Sequence, residues 1–191
     1  LLKHMHNTFG INIIPENEKQ RLQALQRYNV LDTSAEEQFN KIALLVAKIF
    51  NMPIVLISFV DSERVFFKAN IGMGNTKETS RGVSLCALAV LDENVTVFDN
   101  PQSEPCLMAN PLVTGEFGLQ FYAGAPIQTR DGFNIGTLCL VDKKKRYINK
   151  DQQKILKDFA AIVMDMLEYR AALLEYRSFP VGTAENKHET K

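Results

Sequence analysis

The chain has 191 residues, 46% apolar and 23% charged, and its 22 basic residues are balanced by 22 acidic ones. That length and mixture suit one soluble domain with helical extensions, and the zero net charge excludes a field that would gather nucleic acid or an anionic membrane. No apolar run approaches the ~18 residues of a membrane span and no signal-peptide pattern leads the sequence, so a cytoplasmic location is expected.

Residues 1–15 mix polar and apolar types without a period as far as Pro15, and are expected to form a linker or disordered segment. The first residue is leucine rather than methionine, so the native N-terminus is expected upstream. From Glu16 to about Asn29, Leu22, Leu25 and Tyr28 recur at helical spacing. Asp32-Thr33-Ser34 offers an N-cap, and Glu36 and Glu37 complement the positive end of a second helix. Its buried stripe is Phe39, Ile42, Ala43, Val46, Ala47 and Phe50, and Met52-Pro53 ends it. Ile54 to Asp61 is a continuous apolar run, the pattern of a central strand covered on both faces. Val65 to Ile71 predicts a second strand joined to it by a short hairpin.

Residues 72–81 read as a loop, 84–91 as a short helix capped by Ser84, and 95–98 as a third strand. Residues 99–118 form a long connection carrying Pro101, Pro105, Pro111, Gly115 and Gly118. Connections of such length inside a compact domain are mostly functional, which makes 72–94 and 99–118 the candidate pocket loops. Residues 119–142 carry the strongest local signal, two apolar runs around Asp131-Gly132, the pairing that tight hairpin turns demand. Small residues on both runs (Ala123, Gly124, Ala125, Gly136, Thr137) allow a helix or a small molecule to approach the backbone. Alternation sets Thr137, Cys139 and Val141 on one face and Gly136, Leu138 and Leu140 on the other. The first set, with Tyr122, is assigned to a pocket, and the leucines to the helices. Ser58, which interrupts an apolar run, is assigned to the pocket face. The basic run Lys143–Arg146 follows a strand end and reads as a solvated turn.

Asn149 caps a last helix that runs to about Arg177. Ile155, Phe159, Ile162, Met166, Tyr169, Leu173 and Tyr176 follow a heptad seam, and Leu156, Val163, Leu167 and Leu174 make a second stripe beside it. One stripe covers the sheet. The other predicts a further buried surface, a homodimer formed through this helix and residues 16–29. The tail 178–191 is polar and expected to be disordered.

The element order is α+β with an antiparallel sheet. Within it Arg21-Leu22, Leu31-Asp32-Thr33, Glu36 and Phe39 are followed by Ser58-Phe59-Val60-Asp61, Phe67-Lys68-Ala69, and Thr79 with Arg81. Ser84-Leu85-Cys86-Ala87, Asp99, Asn110-Pro111-Leu112-Val113, Phe121-Tyr122-Ala123-Gly124-Ala125-Pro126, Gly136-Thr137-Leu138-Cys139 and Val141-Asp142 complete the series. Over about residues 16–170 this series resembles the GAF domain of bacterial signal-transduction proteins, the type associated with sensor histidine kinases and cyclases. The resemblance implies a GAF-like, PAS-related antiparallel sheet of five or six strands, with terminal helices on one face and pocket loops on the other. It further implies a non-catalytic sensor of a small-molecule ligand in a two-component or related pathway. Such a sensor would be a homodimer, with residues 171–177 as the end of a signalling helix that leads to an effector. One departure stands out: before Asn110-Pro111 the subfamily carries an Asp-x-Arg-Phe-like segment, and this chain has Glu104-Pro105-Cys106-Leu107, without the arginine.

The ligand-binding candidates are Ser58, Arg81, Cys86, Asp99, Tyr122, Thr137 and Cys139. A guanidinium such as that of Arg81 forks onto a carboxylate or phosphate, or pairs with an acid, Asp99 being one option, to pin its loop. Asp99, Asp61 and Asp142 each follow a strand, where a turn-forming side-chain bond is the simpler role. Bilin-binding relatives carry a thioether cysteine near Cys86 followed by histidine; Ala87 stands there instead, so Cys86 is expected to be a buried, inert thiol. Three cysteines also resemble those of GAF enzymes that reduce free methionine sulfoxide, with Cys86 and Cys106 as the pair bordering the pocket. That enzyme and a ligand-free dimerisation module are the alternatives. The histidines, His4, His6 and His188, are all terminal and the cysteines lack CxxC spacing, so no metal site is expected and no cofactor is assigned.

Overall fold

The structure is a computed structural model that describes residues 6–178. Among these, six strands form one sheet: β1 (Ile54–Val60), β2 (Arg64–Ile71), β3 (Glu78–Ser80), β4 (Thr96–Phe98), β5 (Phe121–Gln128) and β6 (Asn134–Asp142). Their order is β3-β2-β1-β6-β5-β4, and every neighbouring pair is antiparallel. The two most continuously apolar segments take the centre, with all seven residues of β1 buried and eight of the nine in β6. Both faces of these strands are covered, which is why their sequences run apolar without alternation.

On one face lie α1 (Glu18–Gln26), α2 (Glu37–Phe50) and α5 (Lys150–Ser178). Phe39, Val46 and Phe50 of α2 and Leu156, Val163 and Leu167 of α5 pack there against Val55, Ile57, Phe59, Leu138 and Leu140. The alternate strand residues, Leu56, Val60, Phe67, Tyr122, Cys139 and Val141, join a second cluster with α3 (Cys86–Ala89), Val113 of α4 (Pro111–Thr114) and the long connections. Asn51 ends α2 in the left-handed conformation (φ 51°), and the Met52 N–H donates to the Ala47 carbonyl. Asn149 starts α5 through a reciprocal cap: its side chain accepts from the Gln152 N–H at 2.8 Å, and Gln152 accepts from the Asn149 N–H at 2.9 Å. Among the described residues no helix is long and apolar enough to cross a membrane.

Several sequence expectations change. Residues 6–15 are not a free linker: Phe9 and Ile13 are 3% and 0% exposed in the loop-face cluster, and Thr8 bonds to the Gly82 carbonyl. Asn7 and Asn12 fold this segment by accepting from the N–H groups of Phe9 and Ile14, turns that leave no periodic trace. Residues 1–5 of that expected linker, and 179–191 of the expected tail, lie outside the described residues. The stretch 72–81, read as loop, contains β3. Ser84 makes no side-chain cap for α3, whose N-cap is Leu85.

Asp32-Thr33-Ser34 do not cap α2 either: Arg64 holds the Asp32 carboxylate at 2.6 and 2.8 Å, and a buried lysine takes the Thr33 hydroxyl and the Ser34 carbonyl. The N-cap is Glu36, without a side-chain bond. Lys68 Nζ donates to Thr33 Oγ1 (2.6 Å) and the Ser34 carbonyl (2.7 Å), and it pairs with Glu36 at 2.6 Å. Lys68 reaches them from a bulge: Ile57 pairs with Ala69 and Ser58 with Phe67, leaving Lys68 without an opposite residue. The bulge resets the alternation, so Phe66 and Ala69 both face the helices. On α5 the buried stripe is Leu156, Ala160, Val163, Met164 and Leu167, while Ile155, Ile162, Tyr169, Leu173 and Tyr176 of the seam are exposed. Leu174, of the second stripe, is exposed as well.

Candidate functional site

The loop face holds a small cavity of about 80 Å³. Leu56, Phe67, Cys139 and Val141 of the sheet form its base, Met73, Thr76 and Thr79 one wall, and Leu112, Phe117 and Leu119 another. Ser84, Leu85 and Cys86 close it from α3 and the turn before it, with Tyr122 beside them. The lid is held by Asn110, fully buried, whose side chain accepts from the Leu112 N–H and donates to Thr8 Oγ1 (3.0 Å) and the Val83 carbonyl (2.8 Å). Asn110-Pro111 is thus an N-cap followed by a proline suited to the first helical position, a signal legible in the sequence. Met73 and Phe117 come from irregular backbone and Leu112 from the four-residue α4, too short for any periodicity to announce which side chains turn inward.

A buried polar cluster underlies the cavity. Ser58 Oγ lies 2.9 Å from Thr137 Oγ1 and 3.4 Å from Cys86 Sγ, and Cys86 Sγ lies 3.8 Å from Cys139 Sγ. The Tyr122 hydroxyl is buried beside them without a hydrogen bond of ordinary geometry. Hydrogen bonds from Cys139 above all, then from Ser58 and Thr137, bring the Cys86 thiol down to about 5 against the opposing effect of burial. The same bond to Cys86, with burial, pushes Cys139 well above the ordinary thiol range. Burial, and then the neighbouring thiols, push Tyr122 up. The hydrogen bond that the two thiols share thus favours ionisation at Cys86 over Cys139.

The small hairpin residues serve the fold rather than a ligand. A methyl group at Gly136 would meet the Ser58 carbonyl of β1 well inside 3.0 Å, and one at Gly124 would strike the Tyr122 ring and hydroxyl. One glycine admits the neighbouring strand; the other lets Tyr122 lie flat along β5.

Of the seven candidate residues, Cys86, Tyr122 and Cys139 line the cavity, and Ser58 and Thr137 support it from beneath. Arg81 is elsewhere: it is fully buried and clamps Glu18 through Nη1 (2.5 Å) and Nη2 (3.2 Å), and it also donates to the Asp61 and Ile13 carbonyls. Arg21 grips the same carboxylate at 2.8 and 2.9 Å. Arg81 thus pins its loop, and the acid is Glu18 rather than Asp99. Asp99 is exposed beyond β4 and outside the cavity lining. Asp61 and Asp142 make turn bonds, accepting from the N–H groups of Ser62 (2.7 Å) and Lys144 (3.0 Å). Cys106 lies outside the lining, so the cysteine facing Cys86 is Cys139 and not Cys106. Among the described residues no group of three or more His, Cys, Asp or Glu is placed to hold a metal ion.

A family model described as the GAF domain matches residues 34–166. A cyclic di-GMP phosphodiesterase of Pseudomonas aeruginosa is 37% identical over 132 residues, which are 69% of this chain and 22% of that relative; the chain spans under a quarter of its length. Among solved structures, the GAF domain from an Acinetobacter phosphoenolpyruvate-protein phosphotransferase superposes with a TM-score of 0.61 at 16% identity, covering 83% of this chain and 97% of that one. A type II free methionine-R-sulfoxide reductase from Thermoplasma acidophilum superposes at 0.58 with 19% identity, covering 69% and 91%. At such identities these two are likenesses of fold, and one fold carries both kinds of protein.

Proposed function

We propose that this chain, which belongs to the GAF domain family, is the regulatory input module of a cytoplasmic signalling protein. It senses a small, largely apolar molecule and relays occupancy through its terminal helices. The observation that carries this reading is the two-sidedness of the central strands. Cys139 and Val141 line the cavity on one face of β6, while Leu138 and Leu140 lie in the helix-side core on the other. A ligand that shifts β6 therefore shifts the seat of α5. The cavity of about 80 Å³ is smaller than the ~300 Å³ at which ligand pockets begin, so binding requires Met73, Leu112 and Phe117 to move outward. Only a ligand that favours this opened state shifts the population. Inside, the Tyr122 hydroxyl is free to donate to one polar atom of the ligand.

The relay needs a partner, and the exposed seam of α5 supplies its surface. Ile162, Tyr169 and Leu173 border an open groove with Met166 and the start of α2, where a second copy of the chain packs. The match to 22% of a cyclic di-GMP phosphodiesterase supports a module that accompanies an effector. A methionine sulfoxide reductase reading rests on fold likeness alone, because Cys106 does not reach the cavity. Native mass spectrometry of the freshly purified chain tests the proposal. A dimer carrying a small co-purified mass that is lost in Leu112→Trp, which fills the cavity, is expected; a monomer without such a mass counts against it.

A further inference from the structure

We propose that Cys86 and Cys139 form a peroxide-oxidised dithiol that closes to a disulfide beneath the cavity, fastening α3 to β6. This goes beyond ligand sensing and does not depend on it, because the pair is present in the chain without any ligand. The two sulfurs stand 3.8 Å apart, one on a helix and one on a central strand. A disulfide needs about 2.05 Å, so the sulfurs have to close by roughly 1.8 Å, a movement on the scale of side-chain rotation. Both line the cavity, and both are nearly inaccessible from outside, at 3% and 0% exposure. A protein disulfide or glutathione cannot reach them there. Hydrogen peroxide can, since it is little larger than a water molecule, which occupies about 30 Å³ of liquid, and the cavity measures about 80 Å³.

The polar cluster fits the chemistry. Ser58, hydrogen-bonded to Cys86 and Thr137, stabilises a thiolate at Cys86. In the first step the Cys86 Sγ electron pair attacks one peroxide oxygen and the O–O bond breaks. Cys86 becomes the sulfenic acid, and the departing hydroxide takes the proton that Cys86 gave up, leaving as water. The Tyr122 hydroxyl, buried beside Cys86 and without a partner, is placed to donate to the departing oxygen. In the second step Cys139 Sγ attacks Cys86 Sγ, the S–O bond breaks, and hydroxide leaves with the Cys139 proton as a second water. Two thiols are oxidised to one disulfide while one peroxide is reduced to two waters. The low proton affinity of Cys86 and the high one of Cys139 agree with this division into attacking and resolving thiols.

The test uses the full chain, reduced and handled without oxygen. It is exposed to hydrogen peroxide, quenched with catalase, unfolded and alkylated with iodoacetamide before peptide mapping. The expected result is complete loss of alkylation at Cys86 and Cys139, and one joined peptide pair lighter by two hydrogens. Cys106 stays alkylated, and dithiothreitol restores both thiols. Cys139→Ala is expected to leave a sulfenic acid at Cys86 that dimedone traps, and Cys106→Ser to oxidise like the parent. Persistent alkylation of Cys86 and Cys139 in the parent chain overturns the proposal, as does a disulfide that joins Cys106. Because the decisive reading is made on the unsubstituted chain, a variant that fails to fold does not obscure it.

Discussion

Replacing Glu18 with Gln removes the carboxylate that two buried guanidiniums share. Glu18 is 8% exposed, Arg21 1% and Arg81 0%, and four N–H···O contacts of 2.5–3.2 Å bind the three together. Without the charge, Arg21 keeps the Val60 carbonyl, and Arg81 keeps those of Asp61 and Ile13. Breaking a buried ion pair in this way costs about 3–5 kcal/mol, because cations stay buried without a counterion. A domain of this size unfolds about 2–4 °C lower per kcal/mol, so Glu18→Gln should lower Tm by roughly 10 °C. The effect also has a pH signature. Burial raises the Glu18 carboxyl, but the bonds from Arg21 and Arg81 outweigh it and hold the group below its ordinary 4.5. A folded-state value below the unfolded one means that the carboxylate's contribution is complete above about 4.5 and is lost as pH falls through the lower, folded value. The parent should therefore lose stability in that acid window while the variant loses less. Urea unfolding followed by far-UV circular dichroism, at neutral and acid pH, measures both effects. Asp131→Asn is the control, since it cuts the exposed pair with Arg27 and should leave the unfolding midpoint nearly unchanged. If Glu18→Gln stays within about 1 kcal/mol of the parent at neutral pH, the clamp does not hold the N-terminal segment and the reasoning fails.

Gly136→Ala drives a methyl group into the Ser58 carbonyl and should cost about 1–3 kcal/mol, seen as a lower urea midpoint with unchanged slope; an unaltered midpoint contradicts the tight β1–β6 approach. Tyr122→Phe deletes a buried hydroxyl without a partner and should stabilise the ligand-free chain by up to about 1 kcal/mol, so a clear loss in thermal unfolding would show that the hydroxyl is satisfied. In Cys139→Ala the thiolate of Cys86 loses its strongest hydrogen bond, and its ultraviolet titration should move up from about 5 toward 9.0; an unmoved titration removes Cys139 as the cause. Leu173→Glu places a charge on the exposed seam of α5 and should abolish the proposed dimer in sedimentation, with thermal unfolding nearly unchanged.

How far the sequence reaches is visible in particular residues. The uninterrupted run from Ile54 to Val60 marks a strand buried on both faces, because water is excluded from each side of it. The glycine of Asp131-Gly132, at φ 86°, marks the hairpin, because an L side chain is strained there. Alternation alone separates Leu138 from Cys139 onto opposite faces, since the strand period is two. The N-cap Asn149 is legible for a similar reason: its bonds join residues only three apart.

Everything that depends on long-range encounter was decided by the tertiary structure. Lys68 reaches Thr33 and Glu36 only because a bulge breaks the two-residue period of β2, and it takes the Thr33 hydroxyl that the sequence offers as a cap. Arg81 carries a charge that suits a ligand, yet Glu18, 63 positions earlier, neutralises it inside the fold. The glycines at 124 and 136 announce a close approach without saying that Tyr122 and the Ser58 carbonyl make it. Cys86 and Cys139, separated by 53 positions, become neighbours only when α3 settles on β6. Local rules of period, turn and cap act between residues close in sequence, so the chain itself determines its central strands, the 119–142 hairpin and the Asn149 cap. The partners of buried charges and thiols lie dozens of positions away, and packing alone selects them.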